Sequence, residues 1–337
     1  MPEDYIGKLA AVLAGHPKVL ILPHNDPDPD AIASAVGLRF LLKGKFQIKS
    51  TIAYQGFIGR VENQALVQYL GNPLTNINRA HFQDTAAIAL VDTQPGAGNN
   101  PLPENLEATI VIDHHRWAAA SGPSPYVDVR PELGSSSTIL TEYLNAAGIE
   151  PTTKLATALF YGIKSDTRGL SRNTNPSDVA AYFYLQPRID VNALIQIEQA
   201  QVPLTYFKNI DNALHAGCIY DDDVIITYLG ELAYPDQCAE IADLFMRLQG
   251  LEWVFCMGVF RDEFVLSVRT LSTSLGAGKL VQDLLKGQGT AGGHGSMAAG
   301  HIVLKKGDDP EQIAGQLENA VLLYLKGKLD VSSYSMM

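Results

Sequence analysis

The chain has 337 residues, 46% of them hydrophobic, and a formal net charge of −11. The length predicts roughly two domains, and the composition is that of a soluble globular protein with a real core. The charge argues against long-range attraction to a nucleic-acid backbone, and therefore against a stable complex with duplex DNA, although a small anionic substrate can bind where metals and a few local cations offset the field. No apolar run approaches the roughly 20 residues of a membrane span. The segment Met1 to Gly15 carries Glu3 and Asp4 and does not read as a signal peptide. Cys218, Cys238 and Cys256 lie far apart, with no CxxC spacing. That excludes a disulfide framework or a zinc-cysteine site and makes a reducing cytoplasm the expected compartment.

Residues 4–15 have a helical spacing at Ile6, Leu9, Ala10 and Leu13. A strand over 18–23 then runs into His24-Asn25-Asp26-Pro27-Asp28-Pro29-Asp30. From Ala31 the positions Ile32, Val36, Phe40 and Leu41 predict a helix, with Asp30 at the N-cap. A strand is expected over 47–54, a helix over 61–70, and a strand over 86–91 closing on Asp92. Another strand, 109–112, stops at Asp113-His114-His115. Gly134-Ser135-Ser136-Ser137-Thr138 opens a helix ending near Gly148. Its hydroxyls and free backbone N–H groups suit a phosphate at Ser135 and Ser136, or serve only as caps. Residues 155–163 are helical, with Ser165-Asp166-Thr167 as a polar turn after them. The pattern stays helical from Pro176 to about Ala216.

A new pattern follows. Strands are expected over 224–229, 253–260 and 264–269, and helices over 237–249 and 280–285. Gly292-Gly293-His294-Gly295 allows close backbone approach to a ligand, or forms a flexible turn. A strand over 302–304 and a helix over 311–325 complete the chain. The predicted division is a first domain over 1–190, a helical connector over 191–215 and a second domain over 216–330.

Short apolar strands alternating with amphipathic helices predict an α/β fold. The expected architecture is an N-terminal doubly wound, largely parallel sheet plus a smaller C-terminal α/β domain, with the active site in the cleft between them. Right-handed connections put the carboxyl ends of parallel strands on one edge, where such sheets bind ligands. His24, Asp28, Asp30, Asp92, His114 and His115 would then share one crevice. With Asp166 added as a ligand, the metal set has four carboxylates and two imidazoles. Four carboxylates packed together need cations, and two divalent ions balance them. Imidazole and carboxylate donors without thiols fit catalytic Mn²⁺, Fe²⁺, Co²⁺ or Zn²⁺. Two such ions, roughly 3.5–4 Å apart, clamp a phosphoryl group and activate a water, with Asp92 as the natural bridge.

These residues also resemble a known family. His24 to Ala31, Val91-Asp92, Asp113-His114-His115 and Gly162 to Thr167 look like the four ordered motifs of the DHH phosphoesterases, and Gly292 to Gly300 like the signature of their associated C-terminal domain. The similarity runs from about 18 to 305. It is nearest the standalone oligoribonuclease and pAp-phosphatase type, related to RecJ and to cyclic-di-AMP phosphodiesterases, with no sensory or membrane domain expected ahead of the catalytic part. The resemblance implies one metal on His24, Asp28 and Asp92, and a second on Asp30, Asp92, His114 and Asp166. Mn²⁺ is the expected ion, with Mg²⁺, Co²⁺ or Fe²⁺ as alternatives. His115 would face the substrate phosphate and Asp113 would orient a histidine. Arg269, Gly292, Gly293 and His294 would contact the nucleotide, and Asp26 is expected to be a solvated loop acid. Ala291 replaces the first glycine of the family's fuller Gly-Gly-Gly-His. The implied activity is hydrolysis of short single-stranded 5′-phosphorylated oligonucleotides, linear dinucleotides or pAp, by a monomer or a homodimer. The alternatives are a pyrophosphatase or polyphosphatase, against which the GGH signature argues, and a non-catalytic nucleotide-binding protein.

Overall fold

A computed structural model describes residues 4–83, 87–116, 124–272 and 274–337, with His294 described by its main chain alone. Glu3, and the strand start expected at Ala86, lie outside the described residues. The chain divides into two compact units, Met1–Ala200 and Gln201–Met337. Among the described residues no helix is long and apolar enough to cross a membrane.

The first unit runs α1 (Tyr5–Leu13), β1 (Lys18–Pro23), α2 (Pro29–Phe46), β2 (Lys49–Tyr54), α3 (Val61–Tyr69), β3 (Leu74–Asn76), α4 (Arg79–Gln83), β4 (Ala87–Val91), β5 (Ile110–Asp113), β6 (Tyr126–Val129), α5 (Ser136–Ala146), α6 (Thr153–Asp166), α7 (Pro176–Leu185) and α8 (Val191–Glu198). Its six strands lie in the order β3-β2-β1-β4-β5-β6, and every neighbouring pair is parallel. The order reverses between β1 and β4, so the switch point that binds ligands in such sheets falls there. Register then fixes the neighbours at that point. Pro23 lies opposite Val91, and Val91 opposite Ile112. The next residue outward on each strand is His24, Asp92 and Asp113. Three apolar runs ending in register thus deliver three polar residues to one place.

Helix α2 carries two more acids to the same edge. Asp28, not Asp30, is its N-cap: Asp28 Oδ1 accepts the Ala31 amide at 3.0 Å, and Pro29 fills the first turn. Asp30 is therefore one step inside the helix and fully buried. Every residue from Pro29 to Leu38 is buried, because α5 and α6 pack on α2. Gly162 makes the α6 approach close enough, since a Cβ there would lie 2.3 Å from Ser137 Oγ and 3.2 Å from Asp30 Cα. Helix α6 continues through Asp166, so that acid sits on the last helical turn and not in a turn after the helix.

The second unit contains α9 (Leu204–Ala216), β7 (Cys218–Tyr220), β8 (Val224–Glu231), α10 (Gln237–Phe245), β9 (Trp253–Phe260), β10 (Glu263–Thr270), α11 (Ala277–Leu284), β11 (Thr290–His294), β12 (Met297–Val303), α12 (Pro310–Lys326) and β13 (Ser333–Ser335). Its sheet, β11-β12-β10-β9-β8-β7-β13, is antiparallel except for the β8–β9 pair. Alternation along β9 feeds two cores: Phe255 and Met257 pack with α11 and α12, while Val254 and Cys256 pack with α9 and α10. The stretch expected as a connector, 191–215, is shared out. Helix α8 packs on α3 and α6 of the first unit, and α9 on β8 of the second.

Candidate metal centre

The donor atoms expected from the sequence converge at the switch point. His24, Asp28 and Asp92 form one group of potential ligands, and Asp30, His114 and Asp166 another, the donor atoms of each group lying within 4.8 Å of one another. Asp92 faces both. Its Oδ2 is 3.5 Å from His24 Nε2, and its Oδ1 is 3.4 Å from His114 Nε2. His114 Nε2 is also 3.4 Å from Asp166 Oδ2 and 3.9 Å from Asp30 Oδ2. These separations are long for good hydrogen bonds and suit donors that share a cation. His114 Nε2 is buried and has no hydrogen-bond partner among the described residues. A buried nitrogen left without a partner and aimed at three carboxylates is what a cation site requires. The residues therefore fit divalent metal.

The surrounding groups fix the donors. His24 Nδ1 donates to the Asn25 carbonyl at 2.7 Å, and His114 Nδ1 approaches the Leu133 carbonyl at 3.3 Å. A carbonyl can only accept, so each ring keeps Nε2 toward the acids. The start of α5 grips Asp30: the Ser136 amide donates to Oδ2 at 2.7 Å and the Ser137 amide to Oδ1 at 2.8 Å. Ser136 Oγ donates to Asp92 Oδ1 at 2.9 Å. The helix start considered for a phosphate is thus occupied by a carboxylate of the chain itself. Ser135 and Ser136 are fully buried, and Ser135 caps the helix through the Thr138 amide. Asp92 holds a left-handed backbone, φ 60°, which turns its carboxylate away from the strand line.

Asp113 Oδ1 accepts the His114 amide at 2.8 Å, the His115 amide at 3.1 Å and His115 Nδ1 at 2.8 Å. Its other oxygen accepts Gln94 Nε2 at 2.7 Å. Gln94, buried two positions beyond Asp92, escapes a search for charged ligands, and only its place after the strand end hints at a role. His115 also lies near Asp92 Oδ1, at 3.7 Å, and could complete a group with Asp92 and His114. The nitrogen nearest Asp92 is Nδ1, which is already on Asp113, and the half-exposed ring is better placed to meet a substrate. Asp26 is not a solvated acid. Its Oδ1 accepts the Phe57 amide at 2.6 Å and pins the loop after β1 to the turn after β2.

Residues 18–163 match the family described as "DHH family, N-terminal domain". The match places a DHH-type N-terminal domain within the first unit. The chain is 36% identical over 307 residues to the uncharacterized protein MJ1633 of Methanocaldococcus jannaschii, covering 90% of this chain and 62% of that protein. It is 25% identical over 339 residues to the cyclic-di-AMP phosphodiesterase GdpP of Bacillus subtilis, covering 95% of this chain and 50% of that protein. The chain therefore spans between half and two thirds of the length of these relatives. An exopolyphosphatase-related protein from Bacteroides fragilis has a similar fold, with a TM-score of 0.73 at 14% identity, over 95% of this chain and 96% of that one.

Electrostatics in the DHH site follow from crowding. Burial lowers the His24 pKa, but Asp28, Asp92 and the Asn25 carbonyl outweigh it and push it up to about 10. Burial likewise opposes charging of His114, and Asp166, Asp92 and Asp30 raise its pKa well above the ordinary value. Asp30 is raised by burial and by the charges of Asp92 and Asp166, and Asp166 by burial and Asp28. Without metal, the site holds protons at neutral pH. Divalent metal must displace them, so its affinity should climb with pH up to about 10. Calorimetric titration of the metal-free protein with Mn²⁺ in buffers of different ionisation enthalpy should show net proton release at pH 7.5. A heat independent of buffer would remove this account. The same sign governs the metal-free fold. Protonated His24 contributes stability below its ordinary value of 6.5, and that contribution fades as pH rises toward about 10.

The residues expected to touch substrate in the second unit are placed differently from one another. Arg269 is buried, with Nε on Asp243 Oδ1 at 2.7 Å and Nη1 on Ser267 Oγ and the Val268 carbonyl, both at 3.1 Å. It is a paired cation inside the unit. Gly292, Gly293 and His294 lie in β11 at the edge of the sheet, and the turn falls at Gly295-Ser296. Gly293 has φ 146°, and a Cβ there would lie 2.4 Å from Ala298 Cα, so the position demands glycine. The His294 side chain lies outside the described residues.

Proposed function

We propose that this chain hydrolyses phosphoesters of small nucleotides, with two divalent metal ions as cofactors. The observation that carries the reading is Asp92, with one oxygen toward each of two groups of imidazole and carboxylate donors. His24, Asp28 and Asp92 would hold one ion, and Asp30, Asp92, His114 and Asp166 the other. The donor chemistry, nitrogen and oxygen without sulfur, favours Mn²⁺ over a thiophilic ion. Bound there, divalent ions would polarise the phosphoryl group and acidify a water. The rest falls to the chain. Gln94 holds Asp113, and Asp113 orients His115 through Nδ1. Burial opposes protonation of His115, but Asp113 and Asp92 raise its pKa, which favours a proton on the ring for transfer to the leaving oxygen.

The substrates favoured are short single-stranded 5′-phosphorylated oligonucleotides, linear dinucleotides and pAp. The alignment with a cyclic-dinucleotide phosphodiesterase, which runs through both units, supports a nucleotide phosphodiester as the bond broken. The absence of disulfides, with Cys218, Cys238 and Cys256 all free, supports a reducing cytoplasm. A panel of pAp, a 5′-phosphorylated dinucleotide, a longer RNA, cyclic-di-AMP and pyrophosphate, assayed with Mn²⁺, tests the reading. Release of mononucleotide from the dinucleotide, or of phosphate from pAp, faster than from pyrophosphate is the expected result. Preferred turnover of pyrophosphate would move the protein to the pyrophosphatases, and tight nucleotide binding without turnover would make it a binding protein.

A further inference from the structure

A second polar feature of the first unit lies away from the acids. A cavity of about 1090 Å³ opens between the amino-terminal halves of β1 and β2, the later turns of α2 and the segment 78–81. Its walls include Arg39, Lys43 and Lys49 beside Val19, Val36, Phe40 and Ile48, with no Asp or Glu among its described lining residues. His24 follows Lys18 by six positions along an extended chain, so this end of the sheet is roughly 20 Å from the metal centre.

Internal pairing does not account for Arg39, Lys43 and Lys49. Arg39 makes one hydrogen bond, Nη1 to the Pro73 carbonyl at 3.1 Å, and neither it nor Lys43 nor Lys49 pairs with a carboxylate among the described residues. Lys43 lies in the last turn of α2 and offsets the helix dipole. Arg39, a turn earlier and partly buried, has no such reason, and burial lowers its pKa. Ser50 in the same wall has a buried Oγ with no partner among the described residues. In a chain of net charge −11, a cavity that gathers cations and excludes acids runs against the composition. Its size exceeds the usual 300–1,000 Å³ of ligand pockets only slightly. Cations together with the Phe40 ring and its aliphatic neighbours match an anion joined to an apolar, aromatic body.

We propose that this cavity is a second site, separate from the metal centre, that binds a nucleoside phosphate with its phosphate on Arg39 and Lys43 and its base against Phe40. The site stands whether or not the hydrolytic reading holds. The test uses the full chain stripped of metal, which removes from the first site the ions that would hold a phosphate, titrated with AMP by calorimetry. One AMP per chain is expected, with adenosine and inorganic phosphate each at least about tenfold weaker, the effect of losing one charged or stacked contact. Lys43→Glu and Arg39→Gln should each weaken AMP by about tenfold or more, while Asp92→Asn leaves it unchanged. Lys43 is exposed, so Lys43→Glu keeps the test valid even if Arg39→Gln unfolds. The proposal is overturned by no binding of AMP, by full affinity in Lys43→Glu, by loss of affinity in Asp92→Asn, or by inorganic phosphate or adenosine binding as tightly as AMP.

Discussion

Asp92→Asn is expected to lower phosphoester hydrolysis by roughly 10³-fold or more, because it removes the carboxylate that turns one oxygen toward each of the two donor groups. Asparagine suits the test. It keeps the size of the side chain, and it is among the few residues that tolerate the left-handed backbone at φ 60°. It also keeps an oxygen that can accept from Ser136 Oγ, which lies 2.9 Å from Asp92 Oδ1. What it loses is the charge and the second anionic oxygen. The fold should persist, and metal content after equilibrium dialysis should drop from two ions per chain to at most one. A variant that keeps two ions and wild-type turnover would show that Asp92 does not join the two groups. Alanine at the same position confounds the measurement, since it leaves the Ser136 hydroxyl without its acceptor and places a poor left-handed residue in a buried turn.

Much of this centre could be read from the sequence because topology, and not detailed packing, assembles it. Each ligand-bearing strand is a short apolar run that stops at a polar residue, and parallel pairing brings such stops together once register is shared. His24, Asp92 and Asp113 needed nothing more. Asp30 was misplaced by one role. An acid before an apolar helix looks like its cap, but Asp28 takes the cap and Pro29 lets the helix begin a residue earlier. The serines at α5 show the limit of local reasoning. Backbone amides at a helix start attract an anion, and sequence cannot say whether the anion is a ligand or the chain's own Asp30, more than a hundred residues away. Arg269 shows the same limit, since Asp243 is its partner only after folding. The strands β3, β7 and β13, of three residues each, are too short to show a period.

Asp178 carries no signal as a ligand, yet its loss is expected to be among the costliest in the first unit. It is fully buried and accepts three hydrogen bonds: the Gly134 amide at 2.8 Å, Thr138 Oγ1 at 2.6 Å and the Asn175 amide at 2.8 Å. Two of these donors belong to the segment that opens α5, and the third to the capping box of α7. Asp178 therefore clamps onto α7 the helix start whose amides hold Asp30. Asp178→Ala takes the carboxylate acceptor from three donors, two of them buried, at about 1–3 kcal/mol each and roughly 3–5 kcal/mol in sum because neighbouring losses do not add fully. Hydrogen exchange at amides 134–138 should accelerate more than at the β1 and β4 amides, which report global opening. Asp178→Asn separates position from stability. Its single oxygen can serve the two amides or the Thr138 hydroxyl, but not both sides, so the helix start loosens while the unit stays folded. Metal affinity of the folded protein should then fall although no ligand has changed, because Asp30 is held less firmly in the geometry that meets His114 and Asp166. Unchanged metal affinity in a folded Asp178→Asn protein would confine Asp178 to stability alone and leave the aim of Asp30 to α2, where Asp28 and Pro29 set the first turn.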